Sequence, residues 1–251
     1  MKNRIYLYVI FLVAFAPYFL FAQLENYEKY MPSSSSGEII NHSFYSLSYL
    51  EDHEIPEWTI YFSTKARLEG EGFPRTSDFR PDPKIKDGSA QLIDYKGSGY
   101  DRGHMVPAAD MKFSKIALSE TFYMSNINPQ SPSLNRGIWK KLEYQVRKWT
   151  LEYDSLIIIT GRVTKDPKTN KDISLGRIGP NKVIVPAFFY KVIIDVKRKS
   201  SIAIVIPNKR HEGELLDNIC SIQDLERITG VDFFYKLSEE EEIDFEDRIT
   251  D

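Results

Sequence analysis

A histidine and an asparagine lie at a spacing that suits metal-assisted hydrolysis of a phosphodiester. His104 belongs to the stretch Asp101-Arg102-Gly103-His104-Met105, and Asn135 follows the histidine by 31 residues, at the head of an amphipathic segment. This reaction needs a base that takes a proton from water and a cation that withdraws charge from the phosphate and the leaving oxygen. A neutral imidazole can act as the base, and a neutral oxygen ligand can hold the cation. The pattern therefore predicts phosphodiester hydrolysis with one metal ion.

Two further polar residues follow Asn135 along the same segment. Glu143 and Arg147 lie 8 and 12 positions beyond it. On a continuous helix these offsets fall at about 80° and 120° from Asn135, so the three side chains can project toward one site. Two alternatives remain open: Asn135 as a helix N-cap, and Glu143 with Arg147 as an i, i+4 pair on a solvated helix.

The elements that must position these residues are of mixed type. Apolar, β-branched and aromatic runs predict strands, and amphipathic segments predict helices. The sequence thus predicts an α+β fold, in which an antiparallel sheet core carries helices on its faces. The predicted strands are Trp58–Ser63, Phe122–Asn126, Leu156–Val163, Val183–Val196 and Ser201–Pro207, and the predicted helices are Lys112–Glu120, Asn135–Tyr153 and Ser221–Thr229.

The order of these elements around His104 predicts a compact active-site unit. The strand that carries His104 is followed by a loop, by the predicted strand Phe122–Asn126, and by the helix that carries Asn135. This succession is a ββα unit. The other histidines, His42, His53 and His211, lie in polar segments and are expected at the surface.

Four segments are predicted along the chain. Residues 1–22, with Lys2 and Arg4 before an apolar run, predict a signal peptide cleaved after Ala22. Export to the periplasm or the extracellular space would follow, with no stable membrane span after processing; an uncleaved N-terminal anchor is the alternative. Residues 23–37, which include PSSSSG, predict a flexible linker, residues 38–238 a single domain, and residues 239–251 an acidic C-terminal tail.

The charge distribution argues against a strongly basic nucleic-acid-binding protein. The whole chain has a net charge of −3, and Glu239–Asp251 holds eight acids against Arg248, a net −7. The predicted leader carries +2, so residues 23–238 are left at about +2. Basic residues are concentrated between Arg136 and Lys148. Any affinity for a polyanion should therefore be modest and sensitive to salt.

Several segments resemble one known family. The chain resembles the DNA/RNA non-specific endonucleases of the ββα-metal, or His-Me finger, superfamily, the group that includes mitochondrial endonuclease G. The DRGH tetrapeptide alone would be weak evidence for this resemblance, but the NxxPQ and LNxxxWxxLE elements occur at matching positions after it. The resemblance rests on residues 49–61 (YLEDHEIPEWTIY), 75–83 (RTSDFRPDP), 94–107 (DYKGSGYDRGHMVP), 122–130 (FYMSNINPQ), 134–147 (LNRGIWKKLEYQVR) and 222–234 (IQDLERITGVDFF).

The resemblance implies a role for each candidate residue. It makes His104 the general base and Asn135 the sole direct protein ligand of a Mg²⁺ ion, for which Mn²⁺ can substitute. Glu143 would hold water around that ion. Arg147 would contact phosphate, and Arg75 would stabilise the phosphate in the transition state. Magnesium keeps several of its waters, so a single amide ligand is chemically reasonable.

Two assignments stay open among the cations. Arg80 lies close enough to Arg75 to compete for the phosphate-stabilising role. Arg102, Arg136 and Lys140 are candidate substrate-binding residues, and for Arg102 an ion pair with an acid is the alternative. A guanidinium suits such sites because its planar donors match phosphate oxygens.

The implied activity is hydrolysis of internal phosphodiester bonds in DNA and RNA, leaving 5′-phosphate and 3′-hydroxyl ends. Two other functions are weighed: a phosphodiesterase on a smaller or non-nucleic-acid substrate, and a binding protein of the same fold without turnover. A homodimer is an open alternative for the assembly. The sequence identifies no inhibitor protein and does not separate DNA from RNA preference.

Overall fold

The computed structural model describes residues 27–166, 168–169, 171 and 173–246. The predicted signal peptide, residues 1–22, lies outside this part. The strands are β1 Glu38–Asn41, β2 Tyr45–Leu50, β3 Ile55–Thr64, β4 Asp101–His104, β5 Ile127–Gln130, β6 Ser155–Val163, β7 Arg177–Ile178, β8 Val183–Ile184, β9 Phe188–Asp195, β10 Ser200–Pro207 and β11 Ile219–Cys220. The α-helices are α1 Lys65–Glu69, α2 Leu92–Tyr95, α3 Lys115–Glu120, α4 Pro132–Asn135, α5 Ile138–Tyr153, α6 Ile222–Thr229 and α7 Glu239–Glu246, and short 3₁₀ turns span Glu28–Tyr30, Glu51–His53, Met124–Asn126 and Leu216–Asn218.

A seven-stranded sheet forms the centre of the molecule. Its order is β1-β2-β3-β6-β9-β10-β11, and every neighbouring pair is antiparallel. The central strands are long and almost wholly buried because both faces of the sheet are covered. This arrangement confirms the predicted α+β class and the strands predicted within β3, β6 and β10.

Alternate residues of each strand point to two separate cores. On one face, Tyr61 and Ile158 pack with Trp139 and Leu142 of α5. On the other face, apolar strand residues pack against α6 and α7. Helix α5 therefore lies on the opposite side of the sheet from the two C-terminal helices.

Two segments near the sheet depart from the prediction. Val183–Val196 is not one strand but β8 and β9, and Pro186 lies in the interruption between them. Proline has no backbone N–H to donate to a ladder, which favours a break at this point. Helix α6, by contrast, follows the prediction closely. Its start is fixed by Ser221, which accepts a hydrogen bond from Asp224 N at 3.0 Å, and its end by Gly230 in the left-handed conformation.

The described part of the predicted flexible linker is bound to the domain. Ser33 O accepts a hydrogen bond from Trp58 Nε1 at 2.9 Å, and the Ser34 and Ser35 hydroxyls donate to Glu57 at 3.0 and 2.5 Å. Glu57 is buried, so these serines supply the donors that its carboxylate needs. In this structure, Ser33, Ser34 and Ser35 of the predicted linker are therefore in contact with the domain.

The predicted acidic tail is also ordered in its first part. Residues 239–246 form α7, and Phe245 is buried between Phe234 and Tyr30, with ring centroids at 5.4 and 5.7 Å. Ser201 Oγ donates to Phe245 O at 2.7 Å. None of the helices in the described residues is both long and apolar enough to cross a membrane.

Candidate active site

The β4–β5 ribbon positions His104. The two strands are antiparallel, and His104 is paired with Ile127 and Gly103 with Asn128. A Cβ at Gly103 would lie 2.2 Å from Gln130 Oε1 and 2.5 Å from its Cγ, so the Gln130 side chain packs directly over this glycine. The predicted order strand, strand, helix is present, but the second strand is β5 rather than Phe122–Asn126.

Asn126 fixes the chain that leaves the histidine strand. Its side chain accepts a hydrogen bond from Val106 N at 2.9 Å and donates to Val106 O and Thr121 O at 3.1 and 2.9 Å. Its own backbone carbonyl accepts from Met105 N at 3.0 Å. Three of these hydrogen bonds hold the chain directly after His104, and the one to Thr121 ties Asn126 to the end of α3.

Aromatic rings enclose the His104 imidazole. Phe122 meets it edge-on at 5.0 Å and Phe79 lies 5.4 Å away. The guanidinium of Arg102 lies over Phe79 at 4.3 Å and that of Arg75 over Phe122 at 5.6 Å. Each ring thus holds a cation near the histidine.

This environment keeps His104 neutral. Burial first, and then the positive charges of Arg75 and Arg102, lower the pKa of His104 from 6.5 to about 3. Its Nε2 atom is buried and has no hydrogen-bond partner among the described residues. A neutral ring nitrogen with a free lone pair can accept a proton.

Asp101 orients the asparagine that follows on α4. Asn135 Nδ2 donates to Asp101 Oδ2 at 2.9 Å, and Arg136 donates to both carboxylate oxygens at 2.8 and 2.6 Å. Burial favours a higher pKa for Asp101, but the hydrogen bonds from Arg136 and Asn135 outweigh it and hold the pKa below its usual value. Because the amide nitrogen is engaged, Asn135 Oδ1 is left to bind another group.

The sequence predicts that Asn135 begins the long helix, but in the structure it does not. It is the last residue of α4, whose N-cap is Ser131, and α5 starts at Ile138 after the N-cap Gly137. The N-cap alternative for Asn135 is therefore wrong. A Cβ at Gly137 would lie 2.3 Å from Ser133 O, so the sharp junction between the helices needs glycine.

Arg147 is held by a buried acid. Its Nη1 donates to Asp110 Oδ1 at 2.9 Å, and the other oxygen of Asp110 accepts from the Tyr61 hydroxyl at 2.6 Å. The ion pair of Arg147 is thus with Asp110 rather than with Glu143. This contact fixes the guanidinium at the cavity wall.

A buried lysine faces the acid on α5. Lys191 is fully buried on β9, donates to Thr160 Oγ1 at 2.6 Å and lies 5.0 Å from the Trp139 ring. Burial raises the pKa of Glu143, and the positive charge of Lys191 is the largest effect that opposes it. Burial likewise lowers the pKa of Lys191, and Glu143 opposes that change.

One cavity of about 490 Å³ gathers the predicted residues. We call it the catalytic cavity. It is lined by Arg75, Arg102, His104, Pro107, Ala108, Ala109, Asn135, Arg136, Lys140, Glu143 and Arg147. All eight residues predicted for catalysis, metal binding or substrate binding thus meet at one place.

The cationic side chains differ in whether hydrogen bonds or ion pairs with other residues already engage them. In the part of the chain that the structure describes, no hydrogen bond or ion pair engages the side chains of Arg75, Arg102 or Lys140, so Arg102 has no acidic partner there. Arg80 instead donates to Asp78 at 2.7 Å and to Ser119, and it does not line the cavity. The geometry favours Arg75 over Arg80 as the phosphate-facing residue.

Four contributors to the site were not predicted from the sequence: Phe79, Phe122, Asp110 and Lys191. A signal existed for the last, because a lysine in the middle of the apolar run FFYKVIID is unusual for a buried strand. One expectation about the other histidines is wrong. His42 is buried and its Nε2 lies 2.9 Å from Asp82 Oδ2.

The cavity suits a hydrated divalent cation better than a protein-enclosed one. No cluster of three or more His, Cys, Asp or Glu residues that could hold a metal occurs among the described residues. The hydrogen bond from Asn135 Nδ2 to Asp101 orients the amide and leaves Oδ1 as a possible ligand, and Glu143 lines the same cavity. Magnesium commonly keeps several waters and takes few protein ligands, so this donor set fits it.

The family model for DNA/RNA non-specific endonucleases matches residues 22–240. The chain belongs to the DNA/RNA non-specific endonuclease family. The resemblance in the DRGH, NxxPQ and LNxxxWxxLE segments is thereby confirmed.

Relatives in this endonuclease family include three nucleases described as mitochondrial. Mouse nuclease EXOG is 34% identical over 234 residues, covering 88% of this chain and 63% of its own. Human endonuclease G is 35% identical over 186 residues, covering 70% and 62%. The mitochondrial nuclease of Saccharomyces cerevisiae is 36% identical over 200 residues, covering 72% and 61%. The chain thus spans less than two thirds of the length of these relatives.

A solved structure shows the same family fold. A chain in the crystal structure of the EndoG/EndoGI complex, a study of EndoG inhibition, matches with a TM-score of 0.74 at 30% identity. The match covers 82% of this chain and 89% of that one. The predicted ββα-metal nuclease architecture is confirmed.

Proposed function

We propose that this chain is a Mg²⁺-dependent endonuclease that hydrolyses internal phosphodiester bonds in DNA and RNA without sequence preference. The observation that carries the proposal is the convergence of His104, Asn135, Glu143 and four arginines on one cavity. Membership of the nuclease family supports the reaction class. The described residues contain no base-reading module that we recognise, which agrees with recognition through the backbone.

His104 acts as the general base. The imidazole is neutral because burial, Arg75 and Arg102 disfavour its protonated form. It therefore takes a proton from the attacking water, and the hydroxide adds to phosphorus in line with the leaving 3′ oxygen. The products carry 5′-phosphate and 3′-hydroxyl ends.

Cationic side chains receive the phosphate. Arg75 and Arg102 have no competing hydrogen-bond partner in the described ranges, so their donors are available to phosphate oxygens. Arg147 is held in place by Asp110 and presents a fixed donor. Preorganised donors stabilise the charge that develops in the transition state more than they stabilise the substrate. Arg136 and Lys140 line the same cavity and contact the substrate backbone.

Asn135 would be the direct protein ligand of the metal ion, and Glu143 would hold water around it. When bound, a divalent cation withdraws charge from the phosphate and from the leaving oxygen. Asp101 keeps the Asn135 amide turned so that its oxygen serves as the ligand. Mn²⁺ should substitute for Mg²⁺, because both prefer oxygen ligands.

A nicking assay with purified protein tests the proposal. Supercoiled plasmid DNA and a long RNA should both be cut with Mg²⁺ or Mn²⁺ and left intact with EDTA. The His104→Ala variant, purified in parallel, excludes a contaminating nuclease. Full activity in EDTA contradicts the metal requirement. Turnover of a chromogenic phosphodiester without cleavage of either polymer would instead favour the small-substrate phosphodiesterase.

We also propose that the protein is exported and that its leader is removed after Ala22. The basic start and the apolar run at residues 1–22 support this. The named relatives are described as mitochondrial, and the proposal concerns this chain alone. Intact-mass analysis of protein recovered outside the cytoplasm should give a chain that begins at Gln23. Recovery only of a membrane-associated chain that begins at Met1 contradicts it.

A further inference from the structure

A second cavity of about 580 Å³ adjoins the catalytic cavity. Its volume is within the range of small-ligand sites, about 300–1,000 Å³. It shares Arg102, Asn135 and Arg136 with the catalytic cavity, so these three residues separate two parts of one groove. The lining residues are Phe79, Leu92, Tyr95, Lys96, Tyr100, Asp101, Arg102, Asn135 and Arg136.

The two cavities differ in chemistry. The catalytic cavity is lined by cations, His104, Asn135 and Glu143, and no phenylalanine, tyrosine or tryptophan is among its lining residues. The second cavity combines three aromatic side chains with Lys96, Arg102 and Arg136. Aromatic rings beside cations are the combination that binds an unpaired nucleobase together with its phosphate.

One of the three rings is available for stacking. Phe79 is already covered by Arg102 at 4.3 Å and packs against His104. Tyr95 is buried, and its hydroxyl donates to Ile127 O at 3.3 Å. Tyr100 is partly exposed, and its ring contacts no other aromatic or cationic group within the described ranges.

The position of Tyr100 ties it to the catalytic residues. It immediately precedes Asp101, the residue that orients Asn135. Its backbone N–H donates to Ser98 Oγ at 3.2 Å, and that hydroxyl donates to Tyr95 O at 2.9 Å. The loop is therefore held from behind by hydrogen bonds that leave the ring of Tyr100 free.

We propose that the cavity at Tyr100 binds a nucleobase of the nucleotide next to the scissile phosphate, stacked on the tyrosine ring. The proposal rests on the nuclease activity proposed above and specifies its substrate. A base can enter this cavity only when it is unstacked from its neighbours. A duplex must flip a base out of its stack, whereas a single strand needs little rearrangement. Single-stranded DNA and RNA are therefore the preferred substrates.

The test uses oligonucleotides with one cleavable bond. In a single strand, one linkage is a natural phosphodiester and the others are phosphorothioates, and an abasic site is placed in turn on the 5′ or 3′ side of that bond. The same sequence in a duplex measures the preference for single strands. The variants are Tyr100→Ala, Tyr100→Phe and, as a control, Tyr235→Ala, whose exposed tyrosine lies outside both cavities.

Tyr100→Ala should raise the KM for the single strand about tenfold, the loss expected for one stacked base, with little change in kcat. Tyr100→Phe and Tyr235→Ala should stay near wild type. Wild type should show a raised KM when one of the two flanking positions is abasic, and Tyr100→Ala should no longer distinguish that substrate from the intact one.

Binding gives a readout that does not depend on turnover. With His104→Ala as background, Tyr100→Ala should weaken the anisotropy-measured affinity for the single strand by a similar factor. Wild type that cuts no nucleic acid overturns the proposed function itself. Wild type that cuts normally, while Tyr100→Ala keeps the same KM and the same response to abasic sites, overturns only the nucleobase cavity.

Discussion

At the scale of single residues, the site depends on a histidine that is kept neutral by its surroundings. An exposed histidine near neutral pH is partly protonated, and the protonated fraction cannot accept a proton. Phe79 and Phe122 remove water from around the His104 ring and also hold two cations beside it. The two arginines proposed to receive the phosphate thus also help to keep the His104 imidazole neutral.

Replacement of His104 by alanine should lower kcat by about 10²–10⁴, the usual contribution of a general base. DNA affinity should change little, because the base acts in the transition state more than in ground-state binding. His211→Ala is the matched control, since His211 lies outside the catalytic cavity. Steady-state kinetics on plasmid DNA measure the effect, and retention of more than about a tenth of wild-type activity would mean that another base operates.

The protonation of His104 can be followed directly by NMR. Between pH 8 and 5 its imidazole signals should stay constant, because its pKa is lowered from 6.5 to about 3. The unfolded chain takes up this proton first, so this residue's contribution to stability decreases as the pH falls from about 6.5 toward 3. Arg75→Gln should raise the pKa, whereas Lys148→Gln, which removes an equal charge from an exposed position, should not. A midpoint near 6.5 in the wild-type protein would contradict the buried neutral state.

The polar residues that line the catalytic cavity could be predicted from the sequence, but the buried acid that holds one of them could not. His104, Asn135, Glu143 and Arg147 belong to motifs with fixed spacing, and all of them line the cavity. Asp110 binds Arg147 across a separation of 37 positions, and no local pattern encodes that contact. The choice between Arg75 and Arg80 likewise depended on which one an acid already engages.

At the scale of elements, the least predictable piece is the one closest to the chemistry. Strand β5 has the sequence INPQ, which contains a proline and two amides and does not look like a strand. It pairs only with β4, so Pro129 interrupts no central ladder. The apolar residues just before it, which the sequence predicted as a strand, end in the 3₁₀ turn Met124–Asn126.

The junction between α4 and α5 should tolerate no side chain at Gly137. Gly137→Ala would place a Cβ 2.3 Å from Ser133 O, and the resulting shift should cost about 1–3 kcal/mol of stability. Because Asn135 lies just before this junction, the metal concentration needed for half-maximal activity should rise as well. Gly70→Ala, whose Cβ would meet its nearest atom at 3.7 Å, is the control. Thermal unfolding and Mg²⁺ titrations of activity measure the two effects, and wild-type values in both would contradict the role given to the junction.

At the scale of the whole molecule, the acidic helix α7 lies on the other side of the sheet from α5, the helix that lines the catalytic cavity. Helix α7 packs through Phe245 on the face of the sheet opposite α5. Residues 239–246 therefore lie away from the basic residues between Arg136 and Lys148. The sequence showed the charge of this segment, but it did not indicate that Phe245 anchors the segment to the domain.

Phe245→Ala should therefore destabilise the fold and leave catalysis intact. The side chain is 4% exposed, and removal of a buried phenylalanine costs about 3–5 kcal/mol. Ile243→Ala, in the same helix but 56% exposed, should stay within about 0.5 kcal/mol of wild type. Urea denaturation gives the free energies of unfolding, and kcat per folded molecule should be equal in both variants. A stable Phe245→Ala protein with a lower KM for DNA would contradict this separation and would mean that α7 competes with the substrate.

The placement of α7 also gives the molecule an electrical polarity. Its first turn consists of four glutamates on one side of the sheet, of which Glu241 pairs with Lys29. On the other side, Arg75 and Arg102, which have no hydrogen-bond partner among the described residues, line the catalytic cavity. A polyanion repels the first group and attracts the second, so its field exerts a torque that turns the groove toward the strand during approach. At physiological ionic strength this field decays over about 8 Å, so the alignment takes place in the last moments before contact. A chain with a net negative charge can thus collide with nucleic acid in the productive orientation.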